Sequence, residues 1–88
     1  MSSESNPADL RVLFFGHLPQ ITECPQTEWP FKEATTVADL MESLYQKWPG
    51  LRASDSSLRV AVNLEYTHRS ALLPPGAEVA VMPPVQGG

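Results

Sequence analysis

The sequence predicts an α+β fold, in which one main helix covers one face of a mixed β-sheet. Two observations lead to this expectation. A single helical stripe of apolar residues occupies the middle of the chain, and segments with strand-like alternation lie on both sides of it. The 88 residues correspond to one domain, and a hydrophobic content of 42% is enough for a compact core. One such helix can bury its apolar stripe against one face of one sheet.

The helix is predicted from Thr36 to Trp48. Thr36 and Asp39 have the spacing of a capping box, with Asp in the place where Glu is preferred. The apolar residues at helical spacing are Val37, Leu40, Met41, Leu44 and Trp48. Pro49-Gly50 is expected to end the helix. We therefore expect Asp39 to act at the helix start rather than as a catalytic acid, and Trp48 to be a core residue rather than a ligand platform.

Two strands are predicted before the helix. Leu10 to Phe15 forms the first, and Gly16 closes it. Prolines at positions 19, 25 and 30 exclude a long central strand after it. The segment from Leu18 to Phe31 is therefore expected to be a loop that ends in a short edge strand, Thr27 to Phe31.

Three strands are predicted after the helix. Leu58 to Asn63 alternates in polarity, and Asn63 to Tyr66 is expected to turn into a short return strand. Leu73 to Gly76 supplies a turn before the last strand, Glu78 to Met82. The order β-β-α-β-β-β, with one helix on one sheet face, describes a β-grasp, ubiquitin-like domain over residues 10–82. The right-handed crossover rule makes the first strand parallel to a later one.

Charged residues indicate which face of each strand the helix leaves open. Arg11 marks the open face of the first strand and Glu78 that of the last, because side chains alternate between the two faces of a sheet. The residues predicted to face the helix are Leu10, Val12, Phe14, Val79 and Val81. Those predicted on the open face are Leu13, Phe15, Ala80 and Met82, with Arg59, Ala61 and Asn63 of the third strand. The first four would form an apolar patch typical of a docking surface, although singly exposed apolar residues are also normal.

The composition argues against several classes of function. A net charge of −4 without a Lys/Arg cluster argues against a nucleic-acid partner, and no run of about 18 apolar residues could span a membrane. Residues 1–9 are polar and acidic, without the apolar segment of a signal peptide, and are expected to be the disordered leader of a cytoplasmic protein. Cys24 has no basic neighbour to activate it, and His17 and His68 have no metal-ligand partner at a suitable spacing. No metal is therefore expected.

The sequence ends on Gly87-Gly88, directly after Pro83-Pro84-Val85-Gln86. Proline fixes φ and lacks a backbone donor, so the two prolines are expected to end the last strand and to start an extended tail, residues 83–88. Glycine has no Cβ, which allows such an end to enter a channel too narrow for a side chain. The α-carboxylate of Gly88 is therefore a candidate reactive group, and an ordinary frayed end is the alternative.

Five segments of the sequence together resemble the small subunit of molybdopterin synthase (MoaD-like, in the ubiquitin-like superfamily). They are Val12-Leu-Phe-Phe-Gly16, Thr36-Val-Ala-Asp-Leu40, Val60-Ala-Val-Asn63, Pro74-Pro-Gly-Ala-Glu-Val79 and Pro83-Pro-Val-Gln-Gly-Gly88. The resemblance covers most of the chain beyond the leader, and its most specific part is the Pro-Pro-Val-x-Gly-Gly end.

The resemblance implies a sulfur carrier, the sulfur-donating subunit of a transferase, with no active site and no cofactor of its own. An E1-like adenylating enzyme would use ATP to activate the Gly88 carboxylate, and a sulfur donor protein would convert it to a thiocarboxylate. The tail, from Pro83 to Gly87, would enter a channel of the large subunit in a heterotetramer. The sulfur would then attack a cyclic pterin phosphate precursor. Two such transfers would build the dithiolene of molybdopterin.

Three other functions stay open on the sequence alone. A thiamine-type sulfur carrier shares the fold and the Gly-Gly end but makes a thiazole, although the Phe14-Phe15 strand and the Pro-Pro-Val run favour molybdopterin. A ubiquitin-like protein modifier would form isopeptide bonds to lysines. A plain interaction domain with an incidental Gly-Gly end would be unaffected by its truncation.

Overall fold

A computed structural model of the chain describes residues 7–84. The elements are β1 (Leu10–Phe14), α1 (Pro19–Thr22), β2 (Gln26–Trp29), α2 (Val37–Lys47), a 3-10 helix (Pro49–Ser57), β3 (Arg59–Val62), β4 (Glu65–Tyr66) and β5 (Glu78–Met82). The predicted α+β architecture, one main helix on a mixed five-stranded sheet, is confirmed. The short helix α1 and the 3-10 helix are two elements that the sequence pattern does not predict.

The five strands form one sheet in the order β2-β1-β5-β3-β4. β1 and β5 are parallel neighbours, with Arg11 opposite Glu78 and Leu13 opposite Ala80. The pairs β1–β2, β3–β4 and β3–β5 are antiparallel. The prediction that the first strand is parallel to a later one is thus correct, and the later strand is β5. Because β1 and β5 are parallel neighbours, Phe15 and Pro83 leave the sheet side by side, at the carboxyl ends of the two strands.

α2 begins where the capping pattern predicts. The Thr36 hydroxyl accepts a hydrogen bond from the Asp39 N–H, and the Asp39 carboxylate accepts one from the Thr36 N–H, both at 3.1 Å. These two bonds satisfy backbone donors that the first turn of a helix leaves free. The helix ends at Lys47, and Trp48 caps it by donating its N–H to the Leu44 carbonyl at 2.8 Å.

The core lies between α2 and the sheet face that it covers. Every side chain predicted to face the helix from β1 and β5 is buried. The buried residues of these three elements are Leu10, Val12, Phe14, Val37, Leu40, Met41, Leu44, Tyr45, Val79 and Val81. Tyr45 is an addition to the predicted stripe. Trp48 is half-buried at the edge of the core, with its ring centroid 5.4 Å from that of Phe14 in an edge-to-face arrangement.

The loop predicted from Leu18 to Phe31 is wrong in its first part. Leu18 is fully buried, and Pro19 opens the helical turn of α1. Proline suits this position because its φ already matches a helix and the first N–H of a helix has no partner within it. Pro19 is compatible both with a loop and with the start of a helix, so the sequence does not distinguish the two. The burial of Leu18 makes the distinction.

The edge strand predicted from Thr27 to Phe31 exists, but it lies at Gln26–Trp29. It pairs antiparallel with β1 at one edge of the sheet. Pro25 and Pro30 flank it directly, and since proline cannot donate to a strand ladder, they limit its length to the four residues between them.

α2 ends before Pro49-Gly50, as predicted, and the chain continues from Pro49 as the 3-10 helix. Leu51 anchors this segment in the core. A single buried residue among small polar ones gives no apolar periodicity, so the segment has no recognisable pattern in the sequence. β3 and β5 follow with the predicted inward faces, Val60 and Val79 among them.

The predicted leader, residues 1–9, lies in large part outside the described residues. At its end, the Ala8 carbonyl accepts a hydrogen bond from the Gly76 N–H at 2.8 Å. Contact with the folded domain therefore begins before Leu10.

Candidate functional site: the open sheet face and the start of the tail

The four residues predicted to form a docking patch lie together on the sheet face opposite α2. Leu13 and Ala80 are partners in the β1–β5 pair, and Phe15 and Met82 follow them towards the ends of the two strands. All four line one shallow depression of ≈ 260 Å³. Phe15 is 46% exposed although it is large and apolar. The side-chain alternation anchored on Arg11 and Glu78 is therefore the one that the structure has.

Three further residues extend this patch beyond the predicted set. Ala61 in β3, Leu64 in the β3–β4 turn and Tyr66 in β4 line the same depression. Leu64 is 88% exposed and Tyr66 70%. The alternation of β3 could have identified Tyr66, because it is the cross-strand partner of Ala61. We call these seven residues the apolar patch.

Ala61 corrects one detail of the prediction. It belongs to the open face, as expected, but only 8% of it is exposed. Its neighbours on either side are Ala80 in β5 and Tyr66 in β4. A methyl group between two neighbouring strands is covered by their side chains, so Ala61 forms the floor of the patch and not its rim.

The turn that carries Leu64 is backbone-strained. Asn63 has a φ of 52° and Leu64 a φ of 74°. Two-residue hairpins with two positive φ values favour Asn-Gly, and a leucine in the left-handed region is unfavourable. The turn is tied to β5, because the Asn63 side-chain oxygen accepts from the Glu78 N–H at 2.9 Å and the Asn63 N–H donates to the Glu78 carbonyl at 2.8 Å. The fold thus holds an apolar side chain out in solvent at a strained position, which is typical of functional sites.

The tail starts beside the apolar patch. β5 ends at Met82, as predicted for a strand followed by two prolines. Pro83 is half-buried and Pro84 is exposed. The predicted channel residues Val85, Gln86 and Gly87 and the predicted reactive residue Gly88 lie outside the described residues.

A polar network lies on the opposite side of the domain, where α2 meets the 3-10 helix. The Asp55 carboxylate accepts hydrogen bonds from the Tyr45 hydroxyl and from Arg69 at 3.0 Å, and these bonds lower the pKa of Asp55. Burial, followed by the bond to Asp55, raises the pKa of Tyr45 to about 12. Arg69 also donates to the backbone carbonyls of Asp55 and Leu58. The network ties three segments together and is structural.

The other polar candidates of the sequence have structural surroundings or are exposed. Cys24 packs half-buried against the core, and its carbonyl accepts a hydrogen bond from the Thr22 hydroxyl at 2.8 Å. His17 and His68 are exposed. Within residues 7–84, no three His, Cys, Asp or Glu side chains are placed to hold a metal ion. No helix in that range is long and apolar enough to cross a membrane.

Comparison with known proteins gives a family match over most of the chain. Residues 12–88 match the ThiS family. Among curated proteins, the chain is 36% identical over 80 residues to the molybdopterin synthase sulfur carrier subunit of Mycobacterium tuberculosis, covering 90% of this chain and 96% of that protein. It is 29% identical over 87 residues to the protein of that description from Arabidopsis thaliana, covering 99% of this chain and 91% of the relative.

Solved structures show the same fold. A putative molybdopterin converting factor subunit 1 from Pyrococcus furiosus superposes with a TM-score of 0.80 at 24% identity, covering 89% of this chain and 99% of that one. The chain also resembles a chain in a complex of subunits 1 and 2 of the molybdopterin-converting factor from Helicobacter pylori, with a TM-score of 0.63 at 22% identity, covering 91% of this chain and 99% of that one.

Proposed function

The chain belongs to the ThiS family, and on that basis we propose that it is the sulfur-carrier small subunit of a molybdopterin synthase. The description shared by its relatives from Mycobacterium tuberculosis and Arabidopsis thaliana supports this choice over a thiamine-type carrier. The structural observation that supports it most is the apolar patch, which lies beside the start of the tail. A carrier needs both a surface that a partner recognises and an end that the partner can take up.

The reactive group in this proposal is the carboxylate of Gly88. A carboxylate is a poor electrophile, so an E1-like adenylating enzyme first joins it to the AMP part of ATP with release of pyrophosphate. A donor protein then delivers sulfur at the oxidation level of sulfide, which displaces AMP and leaves a thiocarboxylate, whose sulfur is a good nucleophile. It attacks a carbon of the cyclic pterin phosphate precursor, and a carbon–sulfur bond forms as the oxygen substituent of that carbon leaves. Water cleaves the acyl–sulfur bond, which leaves the sulfur on the precursor and restores the carboxylate.

The division of labour in this reaction follows from the parts of the chain. Six extended residues, 83–88, span at most roughly 20 Å, which is enough to reach into a neighbouring subunit. The Helicobacter pylori complex contains a second subunit besides the one that this chain resembles. We therefore assign the acid–base and phosphate-binding groups to a large subunit, which forms a heterotetramer with this chain in the cytoplasm. This chain contributes docking, reach and the sulfur atom, and it binds no cofactor.

Mass spectrometry of the intact chain tests the proposal. The purified protein is incubated with the adenylating enzyme, ATP and sulfide. We expect the mass increase that marks replacement of one oxygen by sulfur, located on Gly88 by fragmentation. The loaded chain is then mixed with the large subunit and the pterin precursor, and the mass should return to its starting value as the dithiolene forms. A loaded chain that instead becomes attached to lysines would identify a protein modifier, and transfer only to a thiazole synthase would identify a thiamine-type carrier.

A further inference from the structure

Gly16 and Pro83 lie against each other at the carboxyl ends of β1 and β5, where the tail begins. Gly16 is the second residue after β1 and has a φ of +62°. A Cβ on this residue would lie 2.5 Å from Cγ of Pro83, 3.1 Å from its Cδ and 3.9 Å from its Cβ. The proline ring therefore occupies the space that a side chain on Gly16 would need.

The proline ring can relieve this clash only in part without moving the backbone. A separation of 2.5 Å is about 1 Å short of an ordinary contact between carbon atoms. A change of ring pucker displaces Cγ, but Cδ, at 3.1 Å, is bonded to the backbone nitrogen and moves only with the main chain. A Cβ on Gly16 is therefore expected to shift the main chain at Pro83, where the tail begins.

This contact comes where the hydrogen-bond ladder between β1 and β5 ends. The Phe15 N–H donates to the Val81 carbonyl at 3.1 Å, and Pro83 has no N–H that could continue the ladder. Pro83 is half-buried, whereas Pro84 is exposed. On the β1 side of β5, packing of the ring against Gly16 thus follows the last hydrogen bond, while on the other side Met82 still pairs with Arg59 of β3.

We propose that Gly16 is a positioning residue for sulfur transfer: it seats the Pro83 ring and so sets the direction in which the tail leaves the domain. The inference rests on the proposed function, because the direction of the tail matters only if the tail delivers sulfur to a partner. Docking through the apolar patch fixes the domain against its partner, and the tail must then point at the partner's channel. A displacement of about 1 Å at its base, in a reaction that depends on placement, is enough to lower the rate by up to about 10²-fold.

Four variants of the full chain test this role. Gly16→Ala adds the Cβ, and Pro83→Ala removes the ring but keeps a Cβ that would lie 3.9 Å away, an ordinary contact. The double variant should therefore fit without a clash. Gly76→Ala is the matched control: its φ is +71°, its Cβ would lie 3.3 Å from the Pro7 carbonyl, and it precedes β5 at the end opposite the tail. It reproduces the backbone strain of Gly16→Ala without touching Pro83.

The measurement is sulfur transfer from each thiocarboxylate to the pterin precursor on the large subunit, with kcat and KM determined separately. Gly16→Ala should lower kcat about tenfold or more relative to Gly76→Ala, at an unchanged KM for the carrier, because the patch still docks. Gly16→Ala/Pro83→Ala should recover to the rate of Pro83→Ala alone. Equal rates for Gly16→Ala and Gly76→Ala, or losses in the double variant that simply multiply, would overturn the positioning role.

A contact measurement separates this inference from the proposed function. In the free wild-type protein, NMR should show a nuclear Overhauser effect between the Gly16 α-protons and the Pro83 ring protons. If this effect is absent, the contact between Gly16 and Pro83 does not exist in solution, and the positioning role is overturned whatever the sulfur-transfer activity. If the wild-type chain shows the contact but is never loaded with sulfur, the proposed function fails, and the positioning role fails with it. A loaded and active wild type whose rate is insensitive to Gly16→Ala refutes only the positioning role.

Discussion

Phe14 and Phe15 are identical neighbours in sequence with opposite surroundings. Phe14 is 3% exposed and packs edge-to-face on Trp48, while Phe15 lies on the apolar patch. Two adjacent phenylalanines alone do not reveal which of them faces inward. The charge of Arg11, three residues before Phe14 and on the other face, makes the distinction. The register of the strand was therefore readable from one polar residue.

Aspartate substitutions at these two positions should have different consequences. Phe14→Asp places an unpaired charge in the core, at a cost of several kcal/mol that is comparable to the whole stability of a small domain, so circular dichroism should show an unfolded chain. Phe15→Asp should fold normally. It should weaken binding to the large subunit by about 2 kcal/mol or more, about 30-fold in Kd, since apolar residues at the centre of an interface have such truncation costs.

Isothermal titration with the large subunit and thermal melts of both variants measure these effects. Gln46→Asp, an equally new charge at an exposed position of α2, is the control. It should leave binding unchanged and lower the melting temperature only slightly, because a negative charge in the last turn of a helix costs about 0.3–1 kcal/mol. A folded Phe14→Asp variant together with an unfolded Phe15→Asp variant would reverse the register. Unchanged binding by Phe15→Asp would remove the patch from the interface.

Elements differ in how far their own sequence determines them. α2 was predictable because both of its signals are local: the Thr36–Asp39 capping box and the apolar stripe lie within the helix itself. α1 and the 3-10 helix have no such signals. They form because Leu18 and Leu51 are buried in a core made by distant parts of the chain, and a contact of that kind leaves no periodic pattern.

The 3-10 helix also depends on Arg69, which lies in the segment between β4 and β5. Its guanidinium donates to the Asp55 carboxylate and to the carbonyls of Asp55 and Leu58, at 2.9 to 3.1 Å. Arg69→Met keeps most of the stem and removes these donors, and should lower the free energy of unfolding by about 2 kcal/mol. Arg59→Met is the matched control, because Arg59 is exposed on β3 and takes no part in this network. Urea unfolding of both variants compares them.

The pH dependence of the two unfolding free energies identifies the source of the difference. The pKa of Asp55 is lowered in the folded chain from its ordinary value of 3.8. Its contribution is therefore complete above that value and is lost as the pH falls through the folded pKa. The gap between wild type and Arg69→Met should shrink in that acid range. At the other extreme, the pKa of Tyr45 rises from 10.0 to about 12, so its contribution is complete below pH 10 and is lost as the pH rises towards 12. A gap that is constant in acid would exclude the Asp55 carboxylate as its cause.

At the scale of the whole domain, the sequence predicted the architecture better than the surface. The helix, a parallel neighbour for β1 and the inward faces follow from periodicity, alternation and the crossover rule, and the structure identifies that neighbour as β5. Leu64 was missed as a patch residue because its position depends on how the β3–β4 turn lies against β5, whereas Tyr66 could have been identified as the cross-strand partner of Ala61. The contact between Gly16 and Pro83 was missed because it is not local: the two residues are 67 positions apart in the chain, and the parallel strands β1 and β5 bring them together at their carboxyl ends.

The residues that stabilise the domain are distinct from the residue at which the proposed sulfur chemistry occurs. The core, the sheet and the Arg69 network involve residues from Ala8 to Pro83, whereas the proposed chemistry occurs at Gly88. Deleting Gly88 should therefore leave the melting temperature unchanged and abolish sulfur transfer, because the carboxylate that remains is one residue short, about 3.3 Å or more, of the reacting atoms. Adding one glycine after Gly88 should abolish transfer as well. Deleting Ser3 removes one residue from the other end and should change neither property.

Intact mass after loading and restoration of cofactor synthesis in a deficient strain measure these three variants. One of the two changes at the carboxyl end shortens the tail and the other lengthens it, but both are expected to abolish sulfur transfer. A reaction that only needs a flexible glycine end would tolerate at least one of them, since a carrier docked through its apolar patch could feed in a slightly longer tail. Loss of sulfur transfer in both variants requires that the length of the tail matches the docked position of the domain. Under that condition, the thiocarboxylate has to be held by a folded domain and not by a free peptide. Restoration by either variant would show that this match does not exist.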